Sequence, residues 1–346
     1  MKFAPTRPLR RSSLSALGVL CLVATACSSS GRAQLGTGGK ATTTTAPKFF
    51  PLTGLTVVDQ SAASRPAITV KIENSPASRP QAGLDKADVV FEAVVEGGQT
   101  RFLAVFQSTD ADNAGPVRSV RPSDPSIVGP FGGIVAYSGG IDKFVNAMKA
   151  TGLKNFDETN AGDAFRRRRD KVAPHNLYTS TAALYVAAGG GGNPPPKFAD
   201  FLKPGEPFAP VGAVPVTHLT LGIGSSTTVD YDWNAASGTW LRATDGRAHS
   251  AEGGGQLAPN TVIVQYVTYQ ATGEVDTTGA VVSEANLVGS GDAVVFANGT
   301  MLKARWNKTS ATAMTKWTDM NNAPLTLPAG RTWVELPNVG ASFVTR

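Results

Sequence analysis

Residues 86–121 read KADVVFEAVVEGGQTRFLAVFQSTDADNAGPVRSVR. The β-branched and aromatic residues predict two strands, 87–96 and 101–107. Between them Gly97-Gly98-Gln99-Thr100 forms a four-residue hairpin loop whose glycines are free to take positive φ. If Glu96 sits opposite Arg101, alternation places Phe91, Ala93, Val95, Phe102, Ala104 and Phe106 on one face, the core side. Glu92, Val94, Glu96, Arg101, Leu103 and Val105 then share the other face. Two carboxylates and a guanidinium on a half-apolar surface are costly to bury unless they are paired or serve a purpose. Arg118 and Arg121 follow directly, behind Gly115-Pro116.

Around this ribbon, AITVKIE (67–73) and GIVAYS (133–138) read as further strands, and residues 74–83, with two prolines and Arg79, as a loop. Ile141, Phe144, Val145 and Met148 keep i, i+3, i+4, i+7 spacing, predicting an amphipathic helix that ends by Gly152. Thr179 or Ser180 caps a short alanine-rich helix reaching Ala188. Residues 49–188 are therefore expected to form an α+β (or α/β) domain with a mixed sheet. Residues 189–215, which open with the four-glycine run 189–192, then Pro194-Pro195-Pro196 and later Pro204, Pro207 and Pro210, read as an interdomain connection. Beyond it, segments 216–222, 227–233, 238–243, 261–269, 293–297, 301–306, 313–318 and 331–336 are strand-like, Asn298-Gly299 marks a tight hairpin, and no helical period is found. Residues 216–346 are expected to form an all-β domain, a small barrel or sandwich.

The N-terminus carries an address. Lys2, Arg7, Arg10 and Arg11 precede an apolar stretch at 14–25, predicting a signal peptide over residues 1–26. Ala24-Thr25-Ala26-Cys27, followed by Ser28-Ser29-Ser30, resembles the lipobox of bacterial lipoproteins, with Cys27 as the lipidated mature N-terminus. Plain secretion with cleavage near Ala26 is the alternative, and Arg10-Arg11 leaves Sec and twin-arginine export both open. Residues 27–48 are a polar Gly/Ser/Thr/Ala tether. The expected location is the extracytoplasmic face of the cell membrane, reached through the N-terminal lipid. Cys21 and Cys27 are the only cysteines, so disulfides, thiol catalysis and cysteine-ligated metals are excluded from the folded part. Four of the 32 basic residues lie in residues 1–26, leaving 28 against 26 acids. That balance does not support nucleic-acid binding.

Each candidate group has a functional and a structural reading. Glu92 and Glu96 are an acid/base pair of the kind glycoside cleavage needs, or members of a structural network with Arg101. Arg79, Arg101, Arg118 and Arg121 have the planar fork that suits carboxylate and phosphate, or each pairs locally. His175, beside Asn176, is a candidate acid/base or an internal hydrogen-bonding group. The arginine run 166–169 reads as a solvated loop or a contact to anionic lipid or wall polymer. Trp240 with Arg242, and Trp333, are read as a sugar-stacking platform or as packing under a charged rim, with His249 nearby in a turn. The spacing of the three histidines predicts no metal site, and no phosphate-loop, dinucleotide or serine-hydrolase motif calls for a cofactor.

RPQAGL (79–84), KAD (86–88), EGG (96–98), TRFLA (100–104), GPVRS (115–119) and PHNLYT (174–179) resemble motifs of the YerB-like lipoproteins. DYD (230–232), GTWLR (238–242), TVIVQ (261–265) and GRTWV (330–334) continue the match. This bacterial family of unknown function has conserved N-terminal and C-terminal domains. The resemblance implies a membrane-anchored extracytoplasmic protein in two parts, and it implies no activity. Three functions stay open: a binder of a cell-envelope glycan or anionic polymer through a Glu/Arg/His pocket, a glycan-active hydrolase or lyase using Glu92 or Glu96 with His175, and an interaction module of an envelope complex.

Overall fold

In the computed structural model, one sheet carries strands from both halves of the chain. Residues 48–346, except 204 and 226, are described; the signal peptide, Cys27 and the tether as far as residue 47 lie outside the described residues. The first half supplies β1 (Ile68–Glu73), β2 (Val89–Val94), β3 (Thr100–Phe106), β4 (Ile134–Ala136) and β5 (Lys154–Phe156), with a two-stranded ribbon of β6 (Phe165–Arg167) and β7 (Leu177–Thr179). Its helices are α1 (Gln60–Ser64), α2 (Asp124–Val128), α3 (Asp142–Lys149) and α4 (Thr181–Ala187). The second half has β8 (His218–Ile223), β9 (Thr227–Asn234), β10 (Thr239–Thr244), β11 (Thr261–Gln265), β12 (Thr268–Val275), β13 (Val281–Asn286), β14 (Gly289–Ala297), β15 (Thr300–Lys308), β16 (Lys316–Asp319), β17 (Thr332–Leu336) and β18 (Phe343–Thr345), and no helix among the described residues. The large sheet runs β16-β15-β14-β11-β17-β2-β3-β1-β4-β5, with Val214–Pro215 added beside β15. The protein is sheet-rich with few helices.

The two halves meet at β2 and β17, which pair in parallel and align Val89 with Thr332 and Glu92 with Glu335. β17 also pairs in parallel with β11. Every residue of β1, β11 and β17 is buried, as expected for strands covered on both faces. One face packs Phe91, Leu103, Val105 and Val334 against Phe131, Phe144 and Met148. The opposite face packs Val90, Phe102, Ala104 and Trp333 against Leu177 and Leu184. A second sheet, β10-β9-β8-β18 with the short strand Arg247–Ala248 at its edge, lays Leu221, Tyr231 and Trp240 over Val262, Val264 and Phe296. Residues 189–215 are not a bare connection. Phe198 is buried and stacks among Phe91, Phe131 and Trp317, and Asp200–Phe201 pairs with Thr326–Leu327.

The ribbon register differs from the expected one. Ala93, not Glu96, stands opposite Arg101, and Val94 opposite Thr100. Glu96–Gly98 form a 3-10 turn in which Gly97 takes φ 64°, so β2 ends two residues early and Glu96 belongs to the turn. The offset is odd, and an odd offset regroups every side chain. Glu92 therefore shares a face with Phe102, whereas Arg101 shares the opposite face with Leu103 and with Glu73, its partner on β1. Other local expectations hold. Asn298-Gly299 closes the β14–β15 hairpin with both residues at positive φ, and the Ser180 hydroxyl caps α4 by accepting from the Ala183 amide.

Because the seam is a shared sheet, unfolding is expected to be one cooperative event. All five tryptophans lie in residues 233–333 and, among the described residues, the four α-helices lie in residues 60–187, so indole fluorescence and helical ellipticity report different halves. Their urea midpoints should coincide, and Leu336→Ala at the seam should lower both together by ~2–5 kcal/mol. Two separate transitions would show that the seam does not couple the halves.

Candidate functional site

The Glu92 face is closed. Glu92, Arg242 and Glu335 are all fully buried. Arg242 Nη2 donates to Glu92 Oε2 at 2.6 Å, and Nη1 donates to Glu335 Oε1 at 3.1 Å and to the Tyr231 hydroxyl at 2.9 Å. Tyr231 donates in turn to Glu335 Oε1. Glu92 Oε1 accepts from Asn74 Nδ2 at 2.9 Å and from the Thr100 hydroxyl at 2.5 Å. The guanidinium lies 4.7 Å from the Trp333 ring centroid and 5.4 Å from that of Tyr231. Nε donates to His249 Nδ1, which also accepts from Thr244, while His249 Nε2 donates to Gln81 Oε1.

Protonation follows from that geometry. Burial, then the charge of Glu92, holds the Glu335 carboxyl well above its ordinary range. Burial, then Arg242, holds His249 well below its ordinary value, so the imidazole is neutral with its proton on Nε2. Burial alone would lower Arg242, but Glu92, Tyr231 and Glu335 outweigh it and raise it. The network thus holds a charged guanidinium, a carboxyl that keeps its proton and a neutral imidazole. It is a structural bolt with no route to solvent.

The Arg101 face is different. Arg118 Nε approaches Glu73 Oε2 at 3.3 Å, and the same oxygen meets His175 Nδ1 at 2.8 Å. Arg121 Nε pairs with Glu96 Oε1. Lys71 Nζ donates to Asp124 Oδ1 at 2.7 Å, with both groups buried, and Asp124 Oδ2 accepts the Arg121 amide at 2.8 Å. Burial, the largest influence, lowers Lys71. Arg101 is half-buried, and its one hydrogen bond is from Nη1 to the Ser119 carbonyl at 3.2 Å. Among the described residues it makes no ion pair. Burial, then the charge of Arg121, pushes its pKa down to about 10. With Lys71 and Asp124 paired, Glu73 is taken by Arg118 and Glu96 by Arg121, which also feels the charge of Asp276, and Arg101 is left without an ion pair. The Arg118 and His175 side chains are 21% and 24% exposed, so this cluster reaches solvent. β12 and β13 border it, the Ala285 amide donating to the Ser123 hydroxyl at 2.8 Å.

Of the sequence candidates, Glu96, Arg101, Arg118, Arg121 and His175 gather here. Glu92 does not. It lies on the other face, sealed against Arg242, so the Glu92/Glu96 acid/base pair has no common cleft. Trp240 and Trp333 are buried, the first against Trp233 and Phe296, the second against Phe102, and form no sugar platform. His249 and Arg242 are buried with them. Arg79 ties Asn74 to Asp245 of the second half. Asn176 accepts from Arg167 within the β6–β7 ribbon. In the run 166–169, Arg167 pairs with Glu158 and Arg168 with Asp170 and Glu252. Lys71, Glu73, Asp124, Tyr231 and Glu335 were not singled out by the sequence reading. For Lys71 and Glu73 a signal existed: two charges at period two inside the apolar run ITVKIE. No group of metal-ligating side chains occurs among the described residues, and no helix among them is long and apolar enough to cross a membrane.

Two domain models of one protein family match the chain. Residues 52–192 match the N-terminal domain, and residues 219–334 the C-terminal domain, of a protein family of unknown function, DUF3048. A protein of Bacillus subtilis (strain 168), YerB, whose name calls it a lipoprotein, is 28% identical over 307 residues, covering 86% of this chain and 88% of that one. A crystal structure of the YerB protein from Bacillus subtilis is similar with a TM-score of 0.72 at 25% identity, over 86% of this chain and 99% of that one.

The buried network sets a pH dependence. Glu335 keeps in the native state a proton that the unfolded chain gives up above about pH 4.5, so its contribution falls as pH rises. His249 acts oppositely: the unfolded chain takes up a proton first below about pH 6.5, so acid destabilises. Glu335→Gln preserves the acceptor for Arg242 and Tyr231 and removes the titration. It should raise the melting temperature at about pH 7, with the gain shrinking toward about pH 4. Arg242→Met, which strands Glu92, should destabilise by ~3–5 kcal/mol in urea melts.

Proposed function

This chain belongs to the YerB-like family of unknown function, and from that premise we propose that it is a lipid-anchored extracytoplasmic protein that binds an anionic group of a cell-envelope polymer at Arg101, Arg118 and Arg121. The relative named as a lipoprotein supports the anchor, as does Cys27 in its small-residue context. The observation that carries the binding site is Arg101, a half-buried guanidinium held to one carbonyl, with no acid of its own. A carboxylate or phosphate presents two oxygens to the fork of such a group. Arg118 is steadied by Glu73, which His175 also contacts, and Arg121 by Glu96, so the neighbouring cations are fixed without being neutralised as a set. On this reading the first part is an α+β domain that carries the arginines, and the second is an all-β domain, a small barrel or sandwich.

The test is retention of the protein by purified cell wall, competed with inorganic phosphate. Retention should fall as salt rises, and Arg101→Ala should weaken it about 10–100-fold, the loss expected of a charge-assisted hydrogen-bond pair. Arg166→Ala, on the exposed ribbon, should change little. Retention that ignores both Arg101→Ala and phosphate would sink the assignment.

A further inference from the structure

A separate surface lies at the root of the tether. Residues 48–57 fold back on themselves, Phe49 bridging to Thr56 and the Val57 amide donating to the Lys48 carbonyl at 3.0 Å. This turn forms one wall of an open groove of about 290 Å³. Phe49, Phe50, Pro51, Pro194, Phe201 and Leu202 line it together with Lys197 and Lys203, so most of the wall is apolar. The apolar surface continues onto the outside of the turn. Phe49 is 44% exposed, Leu55 44% and Val58 94%. Contiguous exposed apolar surface of this kind marks an interaction site. Charge does not select its partner. Lys197 and Lys203 line its edge, and each has an acid close by. Lys197–Asp200 and Lys203–Glu206 are loose pairs at 3.9 Å.

Which occupant fits follows from where the groove sits. Phe49 is both its wall and the second described residue, 22 positions after Cys27. Fully extended, the intervening chain spans at most about 75 Å. A bilayer that holds Cys27 therefore lies within that reach of this face, where the described chain begins.

We propose that this face docks on the lipid bilayer, with the groove and the Phe49–Leu55–Val58 rim taking lipid acyl chains. The proposal rests on the anchoring half of the reading above and is independent of the arginine site. Balanced charge makes the docking apolar in origin, so it should occur on neutral lipid and survive salt, unlike the arginine-dependent binding. Lysines at the margin keep their ammonium groups in the headgroup layer while their stems lie along the apolar rim.

The folded part has no cysteine, so single labels are available. The lipidated full protein, carrying Val58→Cys with an environment-sensitive dye, is reconstituted in phosphatidylcholine vesicles containing brominated acyl chains. Val344→Cys, on the five-stranded sheet and 57% exposed, is the control. Quenching at Val58 should exceed that at Val344 by about threefold or more, and should persist when anionic lipid or salt is added. Adding Phe49→Ser should reduce it. Vesicle flotation reads the anchor separately. Protein that floats with equal quenching at the two positions, or with none at Val58, overturns the docking and leaves the anchor standing. Protein that does not float overturns both.

Discussion

Arg242 carries a charge it cannot give up, in a place water does not reach. A buried guanidinium must find carboxylate and aromatic partners or unfold the region around it. Glu92 comes from the first half of the chain and Glu335 from the second, and the parallel pairing of β2 with β17 brings them level beneath one guanidinium. Two carboxylates for one cation would leave a buried negative charge. The proton held on Glu335 removes it. The arrangement also fixes the seam. Sliding β17 by one residue would swing Glu335 to the opposite face and leave Arg242 with Glu92 alone. Apolar packing at the seam is strong but tolerant of small shifts, whereas the charge network accepts one register.

Much of the local structure was legible because it depends on neighbours in sequence. The helix at Asp142–Lys149, the Ser180 cap and the Asn298-Gly299 turn are settled by a few adjacent residues. The ribbon at 86–107 was legible as a ribbon but not in its register. Glu96 has the look of a strand residue, yet Gly97 and Gly98 both accept positive φ and draw it into a 3-10 turn. That local choice sent Glu92 and Arg101 to opposite faces. The β2–β17 pairing was not legible, because it joins residues more than 200 positions apart and nothing in either strand names the other. The burial of Arg242, read as a rim charge, and of His249, read in a turn, was hidden for a related reason. A charge on an alternating strand is expected outward, and only the distant Glu92 and Gln81 explain why GTWLR turns its arginine in.

The two faces of the ribbon differ in how completely their charges are matched. On the Glu92 side every charge is matched, by a counter-charge, a proton or a hydrogen bond, and the groups are out of reach of any ligand. On the Arg101 side the matching is incomplete and the groups reach solvent. Folding alone would favour an acid near Arg101, since burial and like charge already weaken its hold on a proton. Glu96 and Glu73 are close enough to have served, but they are committed to Arg121 and to the Arg118–His175 pair. The rigid frame around Arg101 is therefore what keeps the cation unpaired. An oxyanion bound as proposed above would meet a guanidinium already held in place, because the carboxylates that fix the neighbouring arginines also fix the frame around it.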